Sequence, residues 1–154
     1  MIGLFRCFPL ICTVLLTGGS GSVHRQGKLE IHEYCSVDLD EGASVCWVTV
    51  DGDGTEPRIH ARGKAYDFWL QRVGKALFLV PQNGAVLAIG NLKEAGFEGC
   101  ATAQYGKGKT RVDDLPRGTY ICVRTNEGRY AEMRLEDAGR VRDGVVVSYI
   151  TWEK

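Results

Sequence analysis

Two acidic stretches, Ser36-Val37-Asp38-Leu39-Asp40-Glu41-Gly42 and Asp51-Gly52-Asp53-Gly54-Thr55-Glu56, place carboxylates at alternate positions. Oxygen donors at that spacing are what a hard cation such as calcium requires. An EF-hand loop counted from Asp51 would need Gly at its sixth position and Glu at its twelfth, where this chain has Glu56 and Arg62. The pattern fails. Asp51 and Asp53 remain weak metal ligands that Asp38 and Asp40 would join only if the two loops met in space. Solvated turns are the expectation, with no metal and no cofactor.

Catalytic chemistry has even less support. The histidines are His24, His32 and His60, and no HExxH or HxH spacing joins them. Ser36, His60 and Asp67 could be assembled into a hydrolytic triad, but a chain of this length offers many such triples, and no GxSxG elbow exists. Gly106-Lys107-Gly108-Lys109-Thr110 resembles the tail of a phosphate loop, yet the leading glycine is Ala103 and no helix is expected to follow. No catalytic residue is assigned, and the expectation is a protein that is not an enzyme.

The aromatic segment Tyr66-Asp67-Phe68-Trp69 is the better candidate. Alternation in a strand puts Tyr66 and Phe68 on one face and Trp69 on the other. A Trp69 that faced solvent beside Asp67 and Gln71 could stack on a sugar ring or anchor a protein partner. The ordinary alternative is that all of these rings cover a core. Tyr66, Asp67 and Trp69 are therefore the expected binding residues, for a carbohydrate or a surface protein.

The compartment follows from the first 22 residues. Met1–Arg6 carries one positive side chain, Cys7–Leu16 is apolar, and Thr17–Ser22 is small and polar. That order is a secretory signal peptide. Its apolar centre is about ten residues, short of the ~20 that cross a bilayer as a helix. Cleavage fits after Ser20 or Ser22; retention as an anchor is the alternative, and neither Cys7 nor Cys12 follows a lipoprotein box. The organisation is thus a signal peptide over 1–22 and one β-rich domain over 23–154, secreted, periplasmic or on the cell surface, without a stable membrane span after cleavage.

In such a compartment the cysteines read as disulfides. Removing Cys7 and Cys12 leaves Cys35, Cys46, Cys100 and Cys122. Intervening gaps of 10, 53 and 21 residues lack the close pairs of a zinc site. Lys28–Val37 alternates, Asp38–Gly42 is turn chemistry, and Ala43–Val50 is rich in β-branched residues, so the two runs form a hairpin centred near Asp40 and Glu41. Cys35 and Cys46 are equidistant from that centre and lie opposite one another. A Cys35–Cys46 bridge follows, and Cys100–Cys122 by elimination, although four cysteines admit three pairings.

Further strands fall at Ala65–Arg72, Lys75–Val80, Ala85–Ile89, Thr119–Thr125, Arg129–Glu136 and Val145–Thr151, with a short one at Arg58–Arg62. Asn83-Gly84 suggests a hairpin from Leu77 to Ile89, and Asn126-Glu127-Gly128 a second with a three-residue loop. The sole helical candidate is Asn91–Phe97, with Asn91 as N-cap. Gly99–Lys109 reads as irregular. About eight short strands and little helix predict an all-β fold, a compact antiparallel β-sandwich or partly open β-barrel.

Leu115-Pro116-Arg117-Gly118-Thr119-Tyr120-Ile121-Cys122-Val123-Arg124-Thr125 and Glu127-Gly128-Arg129-Tyr130-Ala131 resemble strands of small secreted or surface bacterial β-domains. Ser36–Gly42, Asn83-Gly84-Ala85 and Tyr149-Ile150-Thr151-Trp152 share that likeness. The resemblance implies an extracytoplasmic bacterial domain, sometimes an accessory module of larger proteins, and carries no catalytic residue. With 19 Lys+Arg against 19 Asp+Glu, nothing favours nucleic acid or an anionic membrane. The expected function is an exported, disulfide-stabilised, non-enzymatic binding module. An inhibitor or effector using a protruding loop at Asp51–Arg62 or Gly99–Lys109 is one rival. A small enzyme, with His32 or His60 meeting a carboxylate in a pocket, is the other. N-terminal sequencing of the exported protein is expected to begin at Gly21 or Val23; a chain beginning at Met1 would show the segment retained.

Overall fold

The computed structural model describes residues 21–46, 66–90, 96–138 and 144–154. Trp47, Asp51, Asp53, His60, Asn91 and the Arg58–Arg62 strand lie outside the described residues, as does nearly all of the 1–22 segment. Two five-stranded antiparallel sheets face each other and do not close into a barrel. One, sheet A, has the order β1-β10-β9-β8-β6, formed by Val23–His32, Gly144–Trp152, Tyr130–Ala138, Tyr120–Arg124 and Val86–Gly90. The other, sheet B, has the order β3-β2-β4-β5-β7, formed by Ala43–Cys46, Cys35–Asp38, Phe68–Val73, Ala76–Pro81 and Thr110–Arg111. The fold is a β-sandwich, and no helix among the described residues is long and apolar enough to cross a membrane.

Alternation builds the core. Val37, Phe68, Leu70, Leu77 and Leu79 of sheet B meet Ile31, Ile121, Val123, Met133, Leu135 and Val147 of sheet A, all nearly inaccessible to solvent. Strands β4, β5 and most of β10 bury every second side chain, the period of a sheet covered on one face, whereas all four residues of β2 are buried.

The β2–β3 hairpin has the expected register: Cys35 opposes Cys46 and Asp38 opposes Ala43. Both bridges, Cys35–Cys46 and Cys100–Cys122, are present. Gly42 closes the turn with φ +65°, and a Cβ there would collide with the Tyr149 hydroxyl, so both conformation and space demand glycine. The β8–β9 hairpin also forms as expected. Gly128 at φ +85° returns its N–H to the Thr125 carbonyl at 2.9 Å.

Three expectations are corrected. The single strand Lys28–Val37 is two strands, broken at Glu33-Tyr34, where Tyr34 takes φ 64°. There the chain leaves sheet A for sheet B. Leu29, Ile31, Cys35 and Val37 keep the same parity across the break, so periodicity alone does not reveal it. Leu77 to Ile89 is not a hairpin either: β5 pairs with β4 and β7, and β6 pairs with β8. Asn83 and Gly84, at φ 52° and 87°, do make a tight turn. That turn arches from one sheet to the other, because a turn dictates reversal and not which sheet the next strand joins.

The third correction is the helix. It is α1, Phe97–Ala101, preceded by Gly96 rather than capped by Asn91. It therefore includes Cys100, in a stretch expected to be irregular. One short turn that contains Gly99 and follows Gly96 has no helical preference of its own. Tertiary contacts hold it against the outer face of sheet A: the Cys100–Cys122 bridge, and Phe97 packed edge-on to Tyr130 and Trp152 with centroids 5.9 and 5.8 Å apart. Replacing Cys100 and Cys122 together by Ser is expected to cost about 3 kcal/mol of stability, as for a bridge closing a loop of this length. Denaturant unfolding of the variant measures it, and peptide mapping of the native protein should find no free thiol at the four positions.

Candidate functional site

The segment 96–106 covers half of the outer face of sheet A. Tyr105 stacks on Tyr130 with centroids 6.4 Å apart, its hydroxyl donates to the Cys100 carbonyl at 2.7 Å, and Gly106 pairs with Leu87. The Gly96 N–H donates to the Glu132 carboxylate. Gly99–Lys109 is thus no protruding loop: its first part is pinned to sheet A, and Lys109 at its end lies 4.5 Å from the centre of the Phe78 ring.

The other half of that face is an open groove of about 490 Å³. Ser148 and Ile150 of β10 and Glu132 and Arg134 of β9 form its floor, with Tyr120 of β8 on one side and Gln26 and Gly27 of β1 on the other. Register explains the grouping, because Ser148 opposes Arg134, Ile150 opposes Glu132, and Tyr120 opposes Arg134. The Arg134 guanidinium lies 5.8 Å from the centre of the Tyr120 ring, a cation–π contact that holds both planes in place. Ser148 donates to Glu136 at 2.8 Å. The groove thus presents an amide, a guanidinium, a carboxylate and a hydroxyl around the Tyr120 ring and the Ile150 side chain. Such a surface can bind by hydrogen bonding and stacking.

The residues expected to bind lie elsewhere and do not share one surface. Trp69 is half-buried on the outer face of sheet B, where it opposes Ser36 and Val80. Tyr66 is half-buried, and its carbonyl accepts from the Asn83 amide at 2.7 Å. Asp67 is fully buried. Its Oδ2 accepts the Leu39 N–H and its Oδ1 the Asn126 N–H, both at 2.8 Å. These bonds tie the β2–β3 turn of sheet B to the β8–β9 loop of sheet A, so this carboxylate is an internal clamp.

The expectation of solvated turns fails at Asp38 and Asp40, which are buried beside Asp67, while Asp51 and Asp53 lie outside the described residues. One oxygen of each of Asp38, Asp40 and Asp67 lies within 4.8 Å of the others. By type the trio could hold a hard cation. Most of its oxygens serve the protein itself: Asp38 Oδ1 accepts the N–H groups of Asp40 and Glu41, both Asp67 oxygens accept backbone N–H groups, and Asp40 Oδ1 faces Arg129 at 3.2 Å, while the buried Asp40 Oδ2 has no hydrogen-bond partner among the described residues. Burial pushes the Asp67 carboxyl up to about 7, two backbone N–H groups oppose that rise, and Asp40 and Asp38 add to it. Asp38 is raised too, chiefly by burial.

Compared with known proteins, the chain matches no protein family, no curated protein and no solved structure.

Of the histidines, His32 meets Glu30 at 3.2 Å and His24 meets Glu153 at 2.8 Å. His32 and Glu30 are both about half exposed on β1, and neither histidine lines the groove. The groove residues themselves escaped the sequence reading. Their signal was the outward half of the strongest hairpin, where Glu132, Arg134 and Glu136 alternate with the buried Ala131, Met133 and Leu135. Nothing in the pattern says which stretch of that face α1 leaves open.

A raised carboxyl has an unusual linkage sign. Between about pH 4 and pH 7 the folded protein keeps a proton on Asp67 that the unfolded chain has released, so stability falls as pH rises through that window and levels off above it. One such proton gives a slope of at most about 1.4 kcal/mol per pH unit. Asp113, Glu136 and Glu153, all held below their ordinary values, act at lower pH. Thermal unfolding from pH 5 to pH 8 should show wild type losing more stability than Asp67→Asn, in which the raised Asp38 is left to give what slope remains; a variant that keeps the full slope would assign it elsewhere.

Proposed function

We propose that the protein is an exported, non-catalytic binding module that holds a carbohydrate chain in the groove on the outer face of sheet A. The observation that carries this is the groove itself: planar Tyr120 and Arg134 beside Ile150, ringed by Gln26, Glu132 and Ser148. A pyranose offers an apolar C–H face for the planes and hydroxyls for the polar rim, and it fits an open site better than an enclosed one.

Support for a binding rather than a catalytic role comes from the arrangement of acid–base groups. The His32–Glu30 and His24–Glu153 pairs sit apart from the groove, and Glu132 spends one oxygen on the Gly96 N–H. Support for export comes from the two bridges, which persist in oxidising compartments. Anchoring of the 96–106 segment speaks against an inhibitor that inserts Gly99–Lys109; the other loop of that reading, Asp51–Arg62, lies outside the described residues.

A glycan array followed by titration tests the reading. Tyr120→Ala and Arg134→Ala are each expected to weaken binding at least tenfold, about 1.4 kcal/mol, while Trp69→Ala leaves it within a factor of about two. Binding abolished by Trp69→Ala and untouched by the groove variants would move the ligand to sheet B. An array with no hit would remove carbohydrate from the reading.

A further inference from the structure

Strand β1 is ten residues long and pairs with β10 in continuous register from Arg25 to His32, after an irregularity between Val23 and Arg25. On its other side no strand follows among the described residues, and most of its side chains are exposed. The edge is therefore about 33 Å long, holds no proline, and among the described residues has no strand to take up the N–H and C=O groups that alternate residues turn toward it. Such an edge is a template for another strand.

Symmetry restricts what can pair there. In a two-fold antiparallel pair, residues whose backbone groups face the free edge must meet one another. The numbers of opposing residues then sum to an even value, and the axis passes through a residue. An axis on Lys28 sets Lys28 against itself, and one on Glu30 sets Glu30 against itself. An axis on Gly27 leaves Lys28 facing Gln26. With the axis on Leu29, each Lys28 faces Glu30 of the second copy, so the pair forms twice. Both side chains point from the outer face of sheet A, and Leu29, on the inner face, meets its own counterpart.

We infer that the protein pairs with a second copy of itself through antiparallel β1 edges centred on Leu29, joining two A sheets into one ten-stranded sheet. Charge complementarity selects this partner and register: opposite charges face each other at two symmetric positions, and like charges never do. Seven residues from each copy, 26–32, take part. The contact is smaller than the roughly 1,200 Å² of stable complexes, so the dimer dissociates on dilution. The inference does not rest on what the groove binds, although Gln26 and Gly27 belong both to the groove and to the paired stretch.

Sedimentation of the purified full-sequence protein, expressed into an oxidising compartment, from about 1 µM to about 1 mM tests it. A reversible monomer–dimer equilibrium is expected. Lys28→Glu and Glu30→Lys should each weaken it about tenfold, since each replaces two attractive cross-strand pairs by two repulsive ones. The double variant K28E/E30K should return to within about threefold of wild type, because it restores both pairs with the charges exchanged. Unchanged circular dichroism and melting temperature show that each variant folds. A monomer at every concentration would overturn the inference. So would a dimer indifferent to the single reversals, or a double variant as weak as the singles.

Discussion

The structure hangs on the carboxylate and backbone of Asp67. Its N–H donates to the Val37 carbonyl, its own carbonyl accepts from Gln82, and its side chain accepts from Leu39 and Asn126, all at 2.8 Å. Three segments, 37–39, Gln82 and Asn126, therefore converge on one residue at one end of the sandwich. Neighbours extend the knot. Thr151 donates its hydroxyl to the Leu39 carbonyl at 2.8 Å, Arg25 reaches the Asp40 carbonyl at 3.1 Å, and Arg129 joins the β8–β9 loop to Asp40. Burying a carboxylate costs free energy that these bonds offset, and removing one partner would leave another group buried and unsatisfied.

Hydrophobic burial holds the sheets together over their faces, but it is nondirectional. The knot at Asp67 and the two bridges supply the register. Cys35–Cys46 staples the hairpin that carries Asp38 and Asp40, and Cys100–Cys122 fixes the 96–106 segment on sheet A. The position of that segment decides where the groove begins, since Glu132 both accepts from Gly96 and lines the open half. Knot, staples and groove are thus steps of one chain of cause.

Local signals in the sequence were readable where a property is local. The β2–β3 register followed from the mirror placement of Cys35 and Cys46, and the β8–β9 hairpin from Gly128. Connections between sheets were not readable. The break at Tyr34 preserves the alternation on either side, and Asn83-Gly84 looks the same whether it joins neighbours or opposite sheets. α1 was placed too early because a disulfide and aromatic packing, not propensity, make Phe97–Ala101 helical. Asp67 stood out for the wrong reason: its neighbours Tyr66 and Trp69 suggested a surface, whereas its partners lie 28 and 59 residues away in the chain.

The account therefore rests on Asp67 being a buried carboxyl shared between the two sheets. Carbon-detected NMR of its side chain across pH 3 to 9, read together with the amide signals of Leu39 and Asn126, tests this most directly. Titration of the carboxyl near pH 7, with both amides following the same midpoint, is the result it requires. A midpoint at the ordinary ~4 of an exposed aspartate, with amides that ignore it, would contradict it.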